Sequence, residues 1–235
     1  MPTHNCAESH APRLDREAPA TGVSVKAQCH AFGRRRRPAA LLWQAPPGMP
    51  RAKPHSEVKG LWFTVARRYL TERYGQATVD ECIARLGERH GAVLAEPLPS
   101  QWYPEEALQQ TLAVLDVVIA HGDQALYVQI IEECSLLAVH HFFRALLRLV
   151  PPATMLRKVP TMWSLIRRGA GKVAVDADDH HGVVRYAEFP YFDDVNYRLL
   201  TLGAIRALMT LCGAEHARVE LVGHTADSLV VDVVY

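Results

Sequence analysis

Residues 123–150, DQALYVQIIEECSLLAVHHFFRALLRLV, run without Gly or Pro between a Gly-Asp start and a Pro-Pro stop. Gln129, Glu132, Glu133, His140, Arg144 and Arg148 fall on one side of a 3.6-residue period and trace one polar stripe. Tyr127, Ile131, Cys134, Ala138, His141, Ala145 and Leu149 follow the same period on the other side. That spacing predicts one helix over 123–150, about 42 Å long at ~1.5 Å per residue. Asp123 is placed to cap its first turn, and Pro151-Pro152 cannot continue it. In its C-terminal half Leu136, Leu137, Val139, Phe142, Phe143, Leu146 and Leu147 widen the apolar share to nearly every direction. A helix of that kind is covered from more than one side, which makes it a central helix or one that faces a partner.

The same reading places shorter helices ahead of it. Order begins at Val58. In KGLWFTVARRYLTERYG, Leu61, Val65 and Tyr69 share a face, with Trp62, Ala66 and Tyr74 nearby, and Gly75 ends the helix. A second helix over 78–89 turns Val79, Ile83 and Leu86 inward, beside Cys82. Pro97, Pro99 and Pro104 frame an extended link carrying Trp102 and Tyr103, and Pro104-Glu105-Glu106 suits a helix start. A third helix follows through Leu108, Leu112, Leu115 and Ile119 to His121-Gly122. Beyond Pro152, Met155, Leu156, Val159, Trp163 and Ile166 predict a broken helical segment kinked near Pro160.

After Gly171 the period falls to two. Val173 and Val175 alternate with Ala174 and Asp176, and VVRYAEF resumes after DADDHHG, which is a hairpin. Residues 195–212 return to helix, and ARVELV and LVVDVVY read as two strands around Gly223, with Leu229, Val231, Val233 and Tyr235 on one side. Gly203 inside that helix costs about 1 kcal/mol against Ala unless close packing needs it. The predicted class is α+β: N-terminal helices including a long central one, then a four-stranded antiparallel sheet (hairpin–helix–hairpin) packed on them.

Residues 1–56 differ. They hold most of the prolines and the run Arg34 to Arg37, with no sustained period, and read as a disordered Pro/Arg-rich tail. Met49 stands just ahead of the first ordered pattern and marks an alternative start. Residues 57–235 read as a single α+β domain. With 49% hydrophobic residues and a formal net charge of +1, the chain is a globular one with a sizeable core, and its balance of charge argues against nucleic acid as a partner. His, Glu or Arg interrupts each apolar run well before ~18 residues, so no membrane span is expected, nor does the N-terminus carry a signal peptide's apolar stretch. The five cysteines, Cys6, Cys29, Cys82, Cys134 and Cys212, are scattered and never in a CxxC pair, which points to free thiols in the cytoplasm.

No catalytic motif survives inspection, and no enzymatic activity is predicted. GAGK at residues 169–172 lacks the spaced first glycine and the Ser/Thr of a phosphate loop, and it precedes a strand rather than a helix. DADDHH at 176–181 gathers potential metal ligands, but Asp, His and Gly are also what a polar hairpin turn wants, and strand neighbours point to opposite faces. The turn is the expected role, and no metal or other cofactor is predicted. Cys134 and His141 lie roughly 10 Å apart along the predicted helix, too far for a nucleophile–base pair. His141 falls on the apolar face, as a core histidine first and a ligand-bonding one second. Trp62, Trp102 and Trp163 are core or pocket aromatics.

VKGLWFTVARRYLTERYG, the Trp-Tyr-Pro before a third helix and the hairpin–helix–hairpin ending resemble a set of uncharacterised paralogous proteins expanded in myxobacteria. These are similar in turn to a superfamily holding haem–nitric-oxide-binding domains, four-vinyl-reductase-type small-molecule-binding domains and vesicle-tethering TRAPP subunits. The resemblance covers residues 58–235 and implies a cavity between helices and sheet that takes an apolar small molecule, together with a helical surface used to dimerise. Haem-binding members carry Tyr-x-Ser-x-Arg for the porphyrin propionates; neither Tyr186 nor Tyr191 is followed by that pattern, so His141 is not carried over as an axial ligand. Vinyl-reductase-type members place cysteines around the final turn, and residues 219–228 contain none.

The function expected from sequence is a non-catalytic cytoplasmic module. It binds a hydrophobic small molecule between the long helix and the sheet for sensing or signalling, with His141, Cys134, Phe142, Trp102 and Trp163 as the ligand-binding residues. The alternative is a homodimeric protein-interaction adaptor that uses the long helix. A haem-based gas sensor stands third because the propionate motif is missing.

Overall fold

The computed structural model describes residues 55–139 and 147–235. The tail, its arginine run, Met49, and the predicted site residues His141 and Phe142 lie outside them. In chain order the elements are β1 (Ser56–Lys59), α1 (Leu61–Tyr74), α2 (Gln76–Ala95), β2 (Trp102–Pro104) and α3 (Glu105–Leu115). A π-helical turn (Asp116–Ala120) leads to α4 (Gln124–Leu137), then α5 (Pro152–Arg157), α6 (Val159–Ile166) and β3 (Arg167–Gly169). The chain closes with β4 (Lys172–Ala177), β5 (His181–Ala187), α7 (Val195–Leu211), β6 (Arg218–His224) and β7 (Leu229–Val234). The class is α+β, helices first and sheet last.

The four-stranded sheet has the order β4-β5-β7-β6, every pair antiparallel. Its buried face follows the alternation in the sequence: Val184, Leu229, Val231 and Val233 are fully buried. The β4–β5 turn is the DADDHH segment. Asp178 accepts from the backbone N–H of both His180 and His181 at 2.9 Å, so that carboxylate closes the turn. Gly223 is not the turn between the last strands: it lies within β6 paired with Val230, just after a bulge at the outward Val222. A second sheet, order β2-β1-β3, is absent from the sequence reading because its strands are only three or four residues long. Its first strand takes in Ser56, which is buried ahead of the predicted start of order.

The predicted 123–150 helix is corrected. Asp123 does cap it, its carboxylate accepting from Ala125 and Leu126 N–H at 2.9 and 3.1 Å. The described helix nevertheless ends at Leu137, and Val139 N–H bonds back to Leu136 O in a tighter turn. An all-round apolar pattern has no Gly or Pro to announce such an end, so periodicity alone runs past it. Two further helices differ in detail. In α1 the buried positions are Phe63, Tyr69 and Leu70, while Leu61 is exposed. The second predicted helix extends to Ala95 across a break at Gly87, whose φ of 69° favours glycine.

The core is centred on α4 crossing α7. Gly203 of α7 sits against α4 so closely that an added Cβ would lie 2.8 Å from Ile131 Cβ and 2.9 Å from Val128 O. Close packing therefore accounts for a glycine that helix propensity disfavours. Polar ties flank the contact: Thr210 Oγ1 donates to Glu132 at 3.0 Å, and Tyr69 of α1 donates to Glu133 at 2.6 Å. Gly203→Ala should cost about 1–3 kcal/mol, because overpacking outweighs the propensity gain. Urea unfolding measures this; an increase in stability would show that the helices have room to part.

Candidate functional site

Beyond Gly203, α7 turns a run of small and branched residues toward the end of α4, and the two helices no longer fill the space between them. Ala204, Ala207, Leu208 and Leu211 from α7 face Cys134 and Ser135 of α4 and Ala138 and Val139 just past it across a cavity of about 360 Å³. Leu61, Trp62 and Val65 of α1 and Met162, Trp163 and Ile166 of α6 form the other walls. The size lies at the lower end of the ~300–1,000 Å³ usual for small-molecule sites. Leu61 and Leu165, both on the lining, are 40% and 61% exposed and mark the side open to solvent.

The aliphatic hydroxyls of the lining, those of Ser135 and Thr201, are already used. Ser135 donates to Ile131 O at 2.8 Å and Thr201 to Tyr197 O at 2.9 Å, each within its own helix. Burial, with a smaller contribution from the Glu133 charge, pushes the Cys134 thiol up to about 12, so it stays protonated and is a weak nucleophile. The cavity is thus apolar along most of its wall.

Its charged border is Arg167. This side chain is 6% exposed and enters from β3, Nε donating to Glu105 Oε1 at 3.1 Å. Glu105 is fully buried at the first position of α3, where the helix N-terminus favours a carboxylate. The Tyr197 hydroxyl lies 3.0 Å from both Oε1 and the main-chain O of Glu105. The guanidinium lies 4.4 Å from the ring centre of Trp163 and 5.8 Å from that of Trp62. Beside it Tyr186 is 4% exposed; burial raises its phenol, and the Arg167 charge works against that shift.

Of the residues predicted from sequence, Cys134 and Trp163 line the cavity together, joined by Trp62. Trp102 does not. It lies on β2, its ring 5.5 Å from Lys59 Nζ and 4.7 Å from Arg168 Cζ. Three prolines around it read as a link, and nothing in a link says which way an aromatic points. The cavity also differs from the expected place between the long helix and the sheet: its walls are mainly helices, and β5 supplies Tyr186 alone. Sequence reasoning missed Arg167, Tyr186 and the α7 wall. Arg167-Arg168 carried a usable signal, because strand neighbours face opposite ways and one of the pair had to point inward. Arg168, the outward one, pairs with Glu57.

No protein-family model and no curated protein sequence matches this chain. Among solved structures, it is similar to a protein studied for modulation of haem redox potential through porphyrin distortion, at TM-score 0.54 and 13% identity, over 75% of this chain and 99% of that one. It is likewise similar to an oxygen-binding H-NOX domain related to soluble guanylate cyclases, in its oxygen complex, at TM-score 0.52 and 13% identity, over 75% and 94% of the two chains. A Cs H-NOX mutant carrying the unnatural amino acid 4-cyano-L-phenylalanine scores 0.53 at 13% identity, over 75% and 95%. At such identities what is shared is the fold: this chain has the H-NOX fold.

The Arg167–Glu105 pair allows a direct test. Arg167→Met leaves a carboxylate uncompensated in the interior and should cost about 3–5 kcal/mol, whereas adding Glu105→Gln should recover much of it. Urea unfolding of the single and double variants decides this. A single variant within about 1 kcal/mol of the parent, the normal range for a surface ion pair, would mean the pair is not enclosed.

Proposed function

We propose that this chain is a non-catalytic binding module of the H-NOX fold that holds a small apolar molecule in the α1–α4–α6–α7 cavity for sensing. The observation carrying this reading is the lining itself: about 360 Å³ walled by aliphatic and aromatic side chains, its Ser135 and Thr201 hydroxyls bonded within their own helices and its thiol protonated. The myxobacterial paralogue family is the relationship we infer for it. No single helix among the described residues is long and apolar enough to cross a membrane. Cys82, Cys134 and Cys212 are free thiols, and the cytoplasm is the compartment that suits them.

A haem-based gas sensor is the second reading, and the fold neighbours favour it over the adaptor, since their descriptions name haem and oxygen. The described lining does not fit a haem. It holds no imidazole, Cys134 is a neutral thiol, and the cation it offers, Arg167, is already bonded to Glu105. His140 and His141 lie outside the described residues. The adaptor reading draws no support from the described part of α4, which exposes no large apolar side chain.

One preparation separates the readings. The purified full chain, taken through native and denaturing mass spectrometry and a visible spectrum, should release a small apolar molecule and show no Soret band. A Soret band at one haem per chain would establish the gas-sensor reading instead. A ligand-free protein that takes up no apolar probe would remove the binding reading altogether.

A further inference from the structure

The inner wall of the cavity carries hydrogen-bonding capacity that the protein does not use. Tyr186 is 4% exposed, its ring packed at 5.4 Å on Trp163 and 5.7 Å on Phe192. Its hydroxyl makes no hydrogen bond among the described residues. Yet it is not sealed off, because the fully enclosed side-chain polar atom without a partner among those residues is Trp62 Nε1. Tyr186 lines the cavity, the open space beside this buried side chain. Trp62 lines the same cavity, its ring centre 5.8 Å from Arg167 Cζ, but its Nε1 is enclosed and out of reach of a ligand. Hydroxyls without a partner on a side chain this buried are uncommon, and this one calls for an explanation.

We infer that the cavity takes an apolar molecule bearing one neutral hydrogen-bond acceptor, a ketone, ester or amide carbonyl, held at the Tyr186 hydroxyl beside Arg167. This deepens the binding reading above and rests on it. The matching group is an acceptor because a phenol, with an oxygen lone pair delocalised into its ring, donates more strongly than it accepts. It is neutral because the cation on the described wall is already matched. Arg167 bonds to Glu105, and that carboxylate also receives Tyr197 and, at 3.5 Å, Ser56. An incoming carboxylate would leave a net negative charge in an apolar enclosure. The remaining wall, from Val65 through Ala204 to Leu208, accepts only hydrocarbon.

The test uses the full chain in equilibrium dialysis with three probes on one skeleton: menthone, menthane and the corresponding menthane carboxylate. Menthone should bind about tenfold tighter than menthane, the worth of about one net buried hydrogen bond, and tighter than the carboxylate. Tyr186→Phe should bring the menthone-to-menthane ratio down to near unity. Because the hydroxyl has no partner to lose, that variant should melt at or above the parent temperature, which separates loss of the head-group contact from loss of the fold. Equal binding of menthone and menthane by the parent would overturn the acceptor site while leaving the binding reading intact. Carboxylate binding as tight as menthone would overturn its neutrality. Failure of all three probes would take down the binding reading and this inference with it.

Discussion

One buried ion pair sets the terms for the rest of this molecule. Glu105 and Arg167 are 0% and 6% exposed, so neither can stand alone in the interior. Their bond fixes the start of α3 to β3, and through β1 it fixes the three-stranded sheet in which β3 is an edge. Tyr197 brings α7 to the same carboxylate. The guanidinium face then anchors aromatic packing, with Trp163 and Phe189 against it at 4.4 and 5.6 Å. Helical and sheet parts of the fold meet at a charge that each helps to neutralise.

The cavity has Arg167 on its wall and follows from how α4 meets α7. The two helices close on each other through Gly203, with no room for a single methyl group. Next to it and one turn further along α7, Ala204 and Ala207 face the end of α4, and small side chains cannot fill what large ones could. Trp62 and Trp163 are held against Arg167 by cation–π attraction, and so line the opening instead of filling it. The result is an apolar space with polar capacity at one end only. Its thiol is kept neutral, and its Ser135 and Thr201 hydroxyls are engaged within their own helices.

Much of the framework was legible in the chain. Alternation in residues 172–187 and 218–234 revealed both hairpins and their buried faces, and Asp123 announced the cap of α4 through its position before an apolar period. What periodicity could not see was the end of α4 at Leu137, where apolar residues continue in every direction past the last helical turn. Nor could it find strands as short as Trp102–Pro104 and Arg167–Gly169. The site was half visible for the same reason. Cys134 and Trp163 lie on faces that a helical period defines. Arg167 and Tyr186 acquire their roles from partners 62 residues away and on another element, which no local pattern encodes. His141 and Phe142 belong to residues 140–146, outside the described part of the chain.

The account rests on the claim that the space beside Cys134, Trp163 and Leu208 is a persistent apolar cavity. Diffraction from crystals of the full chain pressurised with xenon tests it most directly, because such cavities stay dry and admit the gas. Xenon density among Cys134, Trp163, Ala204 and Leu208 is the predicted result. Absence of xenon there, with the Trp163 ring and the α7 leucines closed on one another, would contradict it.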